Sequence, residues 1–451
     1  RLCGTHFLKL CHFCFFSCVI QFGSCAGAVT MCPEGVDRCV VEKGFVEAGR
    51  CEAGADVSVF GGPLLGQDKW LGGALGDDGC VYGVPGSARY VLKIVPSTGE
   101  VGTIGKPLEG KYKWLRGIPV GVAIYCIPAN ADSVLKIVPS TGEVTTIGGP
   151  FPGKWKWHGG VLVNGTIYGI PCCAEAVLKI VPETDEVTTI GGPLPGKQKW
   201  YGGLLGHDGC IYGIPNCADT VIKIVPQTDE VTTFGKVPVG GYKWHGGVVT
   251  GDGTIVGIPS HADCVLKIVP ATGEVTTIGS VRPGSHRPGG QFKYGGGVVA
   301  GDSVYAIPSD ADRVLRIVPH ANEVTEIGPE FPLHNKWQNG YLGCDGAVYC
   351  IPLNAEGVLK IVPSTQEVTT VGERLVGTDK WEGGVEASGA VYCMPLRSKA
   401  VLKIAPGVQT LLSRSDQTHS EESGAVLRTA PVILGSTVPY TTESTVSECE
   451  K

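Results

Sequence analysis

A lysine followed by a large aromatic residue marks eight regularly spaced places in this chain: Lys69-Trp70, Lys113-Trp114, Lys156-Trp157, Lys199-Trp200, Lys243-Trp244, Lys293-Tyr294, Lys336-Trp337 and Lys380-Trp381. An indole offers a flat apolar face that stacks on sugar rings, and the neighbouring ammonium can bind an anion. Eight such pairs on one face would make a multivalent glycan-binding surface. The competing reading is packing, with each ring plugging a junction and its N–H on a backbone carbonyl.

A second charged series comprises Lys93, Lys136, Lys179, Lys223, Lys267, Arg316, Lys360 and Lys403. Acids recur shortly before these residues (Asp132, Glu175, Asp219, Asp263, Asp312, Glu356) and after them (Glu100, Glu143, Glu186, Glu230, Glu274, Glu323, Glu367). That spacing suits a solvated ladder of cross-strand ion pairs. The segment 279–297 breaks the repeat with five extra residues and carries Arg282, His286 and Arg287. Loops on rigid scaffolds often bind, so these three form a candidate partner loop.

Catalysis needs an asymmetric constellation, and the sequence offers none. No G-x-S-x-G, Walker loop or H-E-x-x-H is present. Asp78, Asp208, Asp252 and Asp345 sit in Asp-Gly turns and have a turn role already. His158 and His245 follow the tryptophan in two copies, where the others have Leu71, Leu115, Tyr201, Gly295, Gln338 and Glu382. The expectation is no catalytic residue, no metal and no cofactor.

The elements that position these residues follow from the repeat. The prolines closing the K-I-V-P-like element are Pro96, Pro139, Pro182, Pro226, Pro270, Pro319, Pro363 and Pro406, 43 or 44 residues apart except for one spacing of 49. In the third copy four apolar runs stand out: Gly159–Val163, Thr166–Ile170, Ala176–Val181 and Glu186–Ile190. Val, Ile, Tyr and Thr dominate them, and no run has helical length or period. Asn164-Gly165, Asp208-Gly209 and Asp252-Gly253 predict two-residue hairpins between the first two runs. Four antiparallel strands per unit is the size of a propeller blade. The predicted fold is therefore an all-β propeller of four-stranded blades, eight favoured and seven the alternative. Val57–Gly62 would close the ring by pairing the N-terminal and C-terminal strands, in competition with Val408–Leu412.

The rhythm GGV…IYGIP…VLKIVP…TGEVTTIG resembles NHL-type and gluconolactonase/regucalcin-type propellers. It is also similar to the KW-x-GG / IY-x-IP repeat proteins of marine algae and protists. The resemblance spans roughly 57–412 and implies architecture rather than activity, because propellers host many functions. Lactonase-type relatives hold a metal through acids and Asn lining the axis. Here the corresponding strands carry mostly Gly, Val, Leu and Ala.

Of 451 residues, 68 are Gly and 31 Pro, a turn-rich composition, and the net charge of -6 carries no footprint of nucleic-acid binding. Residues 1–30 read as a signal peptide or a spurious leader, 31–56 as a Cys-containing lead-in, and 413–451 as a disordered Ser/Thr/Glu-rich tail. Secretion follows if the leader is a true signal, an intracellular location if it is spurious. The run Phe7–Phe22 is too short and interrupted for a firm membrane span. Cys172, Cys173, Cys217 and Cys264 lie in or beside the loop between strands two and three, where equivalent positions on adjacent blades are too far apart for disulfides. The functional expectation is a monomeric, non-catalytic scaffold binding a protein partner through one face or the 279–297 loop. A lectin using the Lys-Trp pairs and a metal-dependent lactonase or hydrolase are the alternatives.

Overall fold

The computed structural model describes residues 54–287 and 289–407. Their strands form eight four-stranded antiparallel sheets, each a blade of a β-propeller, and eight is therefore the blade count. In seven blades the strands follow chain order. In the eighth, Asp56–Phe60 forms the outer strand and pairs with Val401–Ala405, which continues to Ala390–Pro395 and Trp381–Ala387. The ring is thus closed by its two ends, which leaves no unpaired gap between first and last blades. The competing run Val408–Leu412 lies outside the described residues, as do residues 1–30, most of 31–56, and 413–451. Among the described residues no helix is long and apolar enough to cross a membrane.

Blade three shows why the repeat folds this way. Its strands are Trp157–Val163, Thr166–Pro171, Val177–Val181 and Glu186–Ile190. The two middle strands are buried on both faces apart from Lys179 and the strand ends, because neighbouring blades cover them. Ile118 and Ile127 of blade two meet Trp157, Ile167, Leu178 and Ile180 of blade three in one such core. Each fully buried aliphatic side chain contributes about 1.5–3 kcal/mol, so the blade-to-blade seams hold most of the stability.

The turn between the first two strands takes two forms. Asn164 (φ 48°) and Gly165 (φ 78°) make the predicted two-residue hairpin. The Asp-Gly copies do not. At Asp208 the Gly206 N–H donates to the Cys210 carbonyl and the Gly209 N–H to the Gly206 carbonyl, so the turn is longer. Asp208 Oδ1 accepts the Cys210 N–H at 3.1 Å, a side-chain cap that stabilises the larger loop. Asp252 caps Thr254 in the same way.

Candidate functional site

Each Lys-aromatic pair enters the inner strand of its blade. The seven indoles are at most 4% exposed, and every indole N–H donates to the carbonyl just before strand three of its own blade, as from Trp157 to Ala176 at 2.8 Å. The same bond runs from Trp70 to Tyr90, Trp114 to Ser133, Trp200 to Thr220, Trp244 to Cys264, Trp337 to Gly357 and Trp381 to Ala400. The lysines are equally buried and reach the other way. Lys156 Nζ donates to Ala129 and Ala131 of the preceding blade, and to Gly153 in its own approach loop. Lys69, Lys113, Lys199, Lys243 and Lys336 each make three bonds of this kind, Lys380 two and Lys293 one. Burial pushes the ammonium of Lys69, Lys113, Lys156, Lys336 and Lys380 down to about 8. The sixteen residues singled out as candidate ligand contacts therefore lie in the walls, with no ring face open for a sugar.

The strand-three cations also behave differently from the ladder the spacing suggests. Only Arg316–Glu323 (3.2 Å) joins predicted partners. Lys93, Lys223 and Lys360 pair with Asp78, Asp208 and Asp345 of their own Asp-Gly turns. Lys136 and Lys179 reach Asp185 and Asp229 of the next blade. The reason is the tyrosine of strand two. Tyr82 donates to Asp78 at 2.7 Å and lies beneath Lys93, so the turn aspartate serves both groups.

The residues flanking the Lys-aromatic pair do something else. The one that follows it points to the axis. There Leu71, Leu115 and Tyr201 join Tyr112, Leu353 and Leu396 in an apolar cluster that crosses the ring. His158 stacks on Tyr201 with ring centres 3.7 Å apart, and His245 lies 4.3 Å from Tyr201 on its other side. Glu382 is fully buried, with Arg116 Nη2 at 3.8 Å from its Oε1. Burial pushes the Glu382 carboxyl up to about 7, against the opposing pull of Arg116. Gly295 leaves a small pocket bounded by His245, Ser260, Tyr294 and Gln338, with room for about one water. The structure thus brings together an asymmetric polar group that sequence reasoning did not assemble.

One further position deepens it. The next residue has a left-handed backbone in all eight blades. Six blades place Gly there, whereas blades two and seven place Arg116 (φ 63°) and Asn339 (φ 58°). This substitution of a repeated glycine is the signal that could have flagged both residues.

The residue before the lysine forms a second ring at the mouth of the axis: Asp68, Tyr112, Trp155, Gln198, Tyr242, Phe292, Asn335 and Asp379. All are left-handed, with φ between 50° and 55°. One side is aromatic, with Tyr112 and Trp155 5.2 Å apart and Tyr242 6.1 Å from Phe292. The other is charged, where Arg397 bridges Asp68 and Asp379. The predicted partner loop rises beside this ring. Arg287 Nε lies 2.6 Å from buried Asp310 Oδ2 and its guanidinium covers Phe292, His286 faces Asp312, and Arg282 pairs with Glu326. Its side chains are thus held by acids of blade six, Asp310, Asp312 and Glu326. Among the described residues no set of three His, Cys, Asp or Glu side chains converges as metal ligands.

No protein-family model and no curated protein matches this chain. Solved structures do. A streptogramin B lyase is similar with a TM-score of 0.52 at 13% identity, over 78% of this chain and 98% of that one. A virginiamycin B lyase from Staphylococcus aureus gives 0.51 at 13%, over 78% and 99%. The computationally designed Ika8 protein gives 0.57 at 8%, over 77% and 98%. These likenesses establish the propeller fold.

Proposed function

We propose that this chain is a non-catalytic binding propeller that engages a protein partner through the face bearing the mouth ring. The observation that carries this reading is a set of exposed loop tips on that face. Four residues before the lysine, the loops entering blades one, five and eight end in Leu65, Val239 and Val376, which are 73%, 94% and 76% exposed. Apolar side chains so placed, around a rim that differs from blade to blade, suit a protein surface. The Lys-Trp pairs are occupied inside the walls and lend nothing to a glycan-binding reading. Kinship with the algal and protist repeat proteins rests on the KW-x-GG / IY-x-IP rhythm and is part of the same proposal.

The test compares faces. Wild type, the triple variant Leu65→Ser/Val239→Ser/Val376→Ser, and Val122→Ser in a strand one-to-two turn are used as baits for crosslinking and capture. A protein held by wild type and Val122→Ser but released by the triple variant supports the reading. Partners held equally by all three baits would refute it.

A further inference from the structure

The residue after the proline of strand two differs in character around the ring. In blades seven and eight it is Leu353 and Leu396, which join the apolar cluster. In blades five and six it is Ser260 and Ser309, 4% and 3% exposed. Their backbone N–H and carbonyl groups are bonded to the backbones of Lys243, Lys293 and Lys336, which leaves the hydroxyls. Both serines line the small pocket beside Gly295. Blades one and two carry Leu71 and Leu115 where blade six has this glycine. A Cβ placed on Gly295 would lie 3.1 Å from Gln338 Cγ, so a side chain there would fill the space.

Gln338 bounds the pocket from blade seven. It is 3% exposed, and its Oε1 is buried with no hydrogen-bond partner among the described residues. Buried polar atoms are almost always paired, so this oxygen is a place prepared for a donor. Phe292 and Tyr294 add aromatic walls. Arg287, from the inserted segment, braces this side: its guanidinium lies 4.9 Å from the Phe292 ring, and its Nη2 donates to the lining Asn335 at 3.4 Å. The insertion, the missing side chain and the unpaired amide therefore meet at one place. No Asp, Glu, Lys or Arg side chain lines it. Lys293 and Lys336, which adjoin lining residues in the chain, donate to the carbonyls of His261 and Ser309, and Arg287 is opposed by Asp310. An ion entering the pocket would lose its water without gaining a counter-charge. A hydroxyl both donates and accepts, so it can serve a carboxamide and two serines while uncharged.

We propose that this pocket binds the hydroxyl end of a small uncharged alcohol. Gln338 Oε1 accepts the ligand's O–H, the Ser260 and Ser309 hydroxyls complete the polar contacts, and the rings of Phe292 and Tyr294 take the carbon end. The room for about one water matches one hydroxyl oxygen. The site uses none of the apolar loop tips assigned above to a protein partner, so the two readings stand or fall separately.

The test is saturation-transfer NMR on the full chain with probes that share a hydroxymethyl group and differ in charge: ethylene glycol, ethanolamine and glycolate. Ethylene glycol is expected to bind with a Kd of about 1–10 mM, within what so few heavy atoms can supply. The two charged probes should bind at least about tenfold more weakly. Gly295→Leu fills the pocket with the residue of blades one and two. Gln338→Leu also gives blade seven the residue of those blades and removes the acceptor. Each should keep the circular dichroism of wild type and weaken ethylene glycol binding by about tenfold or more. Either variant suffices if the other fails to fold. Equal signals from the three probes, or a wild-type signal that persists in a folded variant, would overturn the proposal. So would the absence of a signal from ethylene glycol at several times that concentration, which would leave the pocket a place for a structural water only.

Discussion

Trp155 and Trp157 stand two residues apart and belong to different parts of the molecule. Trp157 is 3% exposed, donates its N–H to Ala176, and has a counterpart in every blade but one. Trp155 is partly buried at the mouth, and its counterparts are Asp, Tyr, Gln, Phe and Asn. Lys156 lies between them and goes with the wall, and His158 follows and goes with the axis. The left-handed backbone of Trp155 (φ 53°) breaks the extended run just before the strand, and this turn separates the opening from the seam. The lesson is that repetition marks the wall, and departure from repetition marks the mouth and the axis, where one blade differs from the next.

The wall should therefore break first. Lys336 is 1% exposed and donates to Ser309 (2.9 Å), Ala311 (2.8 Å) and Leu333 (3.0 Å). Lys336→Met keeps the length and removes every donor, which leaves those carbonyls buried without this partner. The expected cost is about 3–5 kcal/mol in urea unfolding. A cost below about 1 kcal/mol would mean that the lysine is not what joins the blades. The two tryptophans give the next contrast. Trp157→Phe loses the N–H bond and part of the core contact with Phe151, whose ring centre is 5.2 Å away. It should cost about 2 kcal/mol, and Trp155→Phe less than about 0.5 kcal/mol. Equal costs would erase the distinction between wall and mouth.

The same contrast explains what could be read from the sequence. The blade and its strands were legible because the wall positions recur at a fixed period and alternate as strands do. The Asp-Gly turns were misread because Asp208 caps a longer loop with its own carboxylate and then serves Tyr212 at 2.7 Å, a contact four residues along that hairpin statistics do not contain. The loop residues Arg282, His286 and Arg287 looked available because their acids, Glu326, Asp312 and Asp310, lie in later segments. The axial group was invisible for a similar reason. Arg116 and Glu382 come from blades two and eight, and only ring closure puts them side by side across Gly72.

That pair offers a pH-dependent version of the comparison. Glu382 titrates near 7 in the fold, above the ordinary carboxylate range. A group raised in this way contributes stability that is complete below its unfolded value and is lost as the pH rises through 7. Glu382→Gln cannot ionise and escapes that loss. Relative to wild type, the variant should gain about 1–2 kcal/mol between pH 5 and pH 8. Urea midpoints at the two pH values measure it. A difference that does not change with pH would mean that Arg116 holds the carboxylate charged throughout.

A smaller effect than that of Glu382 lies at Asn339. It adopts φ 58° where six blades have Gly, it is buried, and no described residue pairs with its Nδ2. Asn339→Gly removes a left-handed side chain, worth about 1 kcal/mol, and a buried amide without a partner, worth a similar amount. The entropy of a freer unfolded glycine takes back about 0.5–1 kcal/mol. The net expectation is a gain of about 0.5–1 kcal/mol, read from urea midpoints against wild type. A gain would mean that this blade holds its asymmetry at the expense of stability, as a recognition position would. A loss would place Asn339 with the wall, among the residues that the fold itself requires.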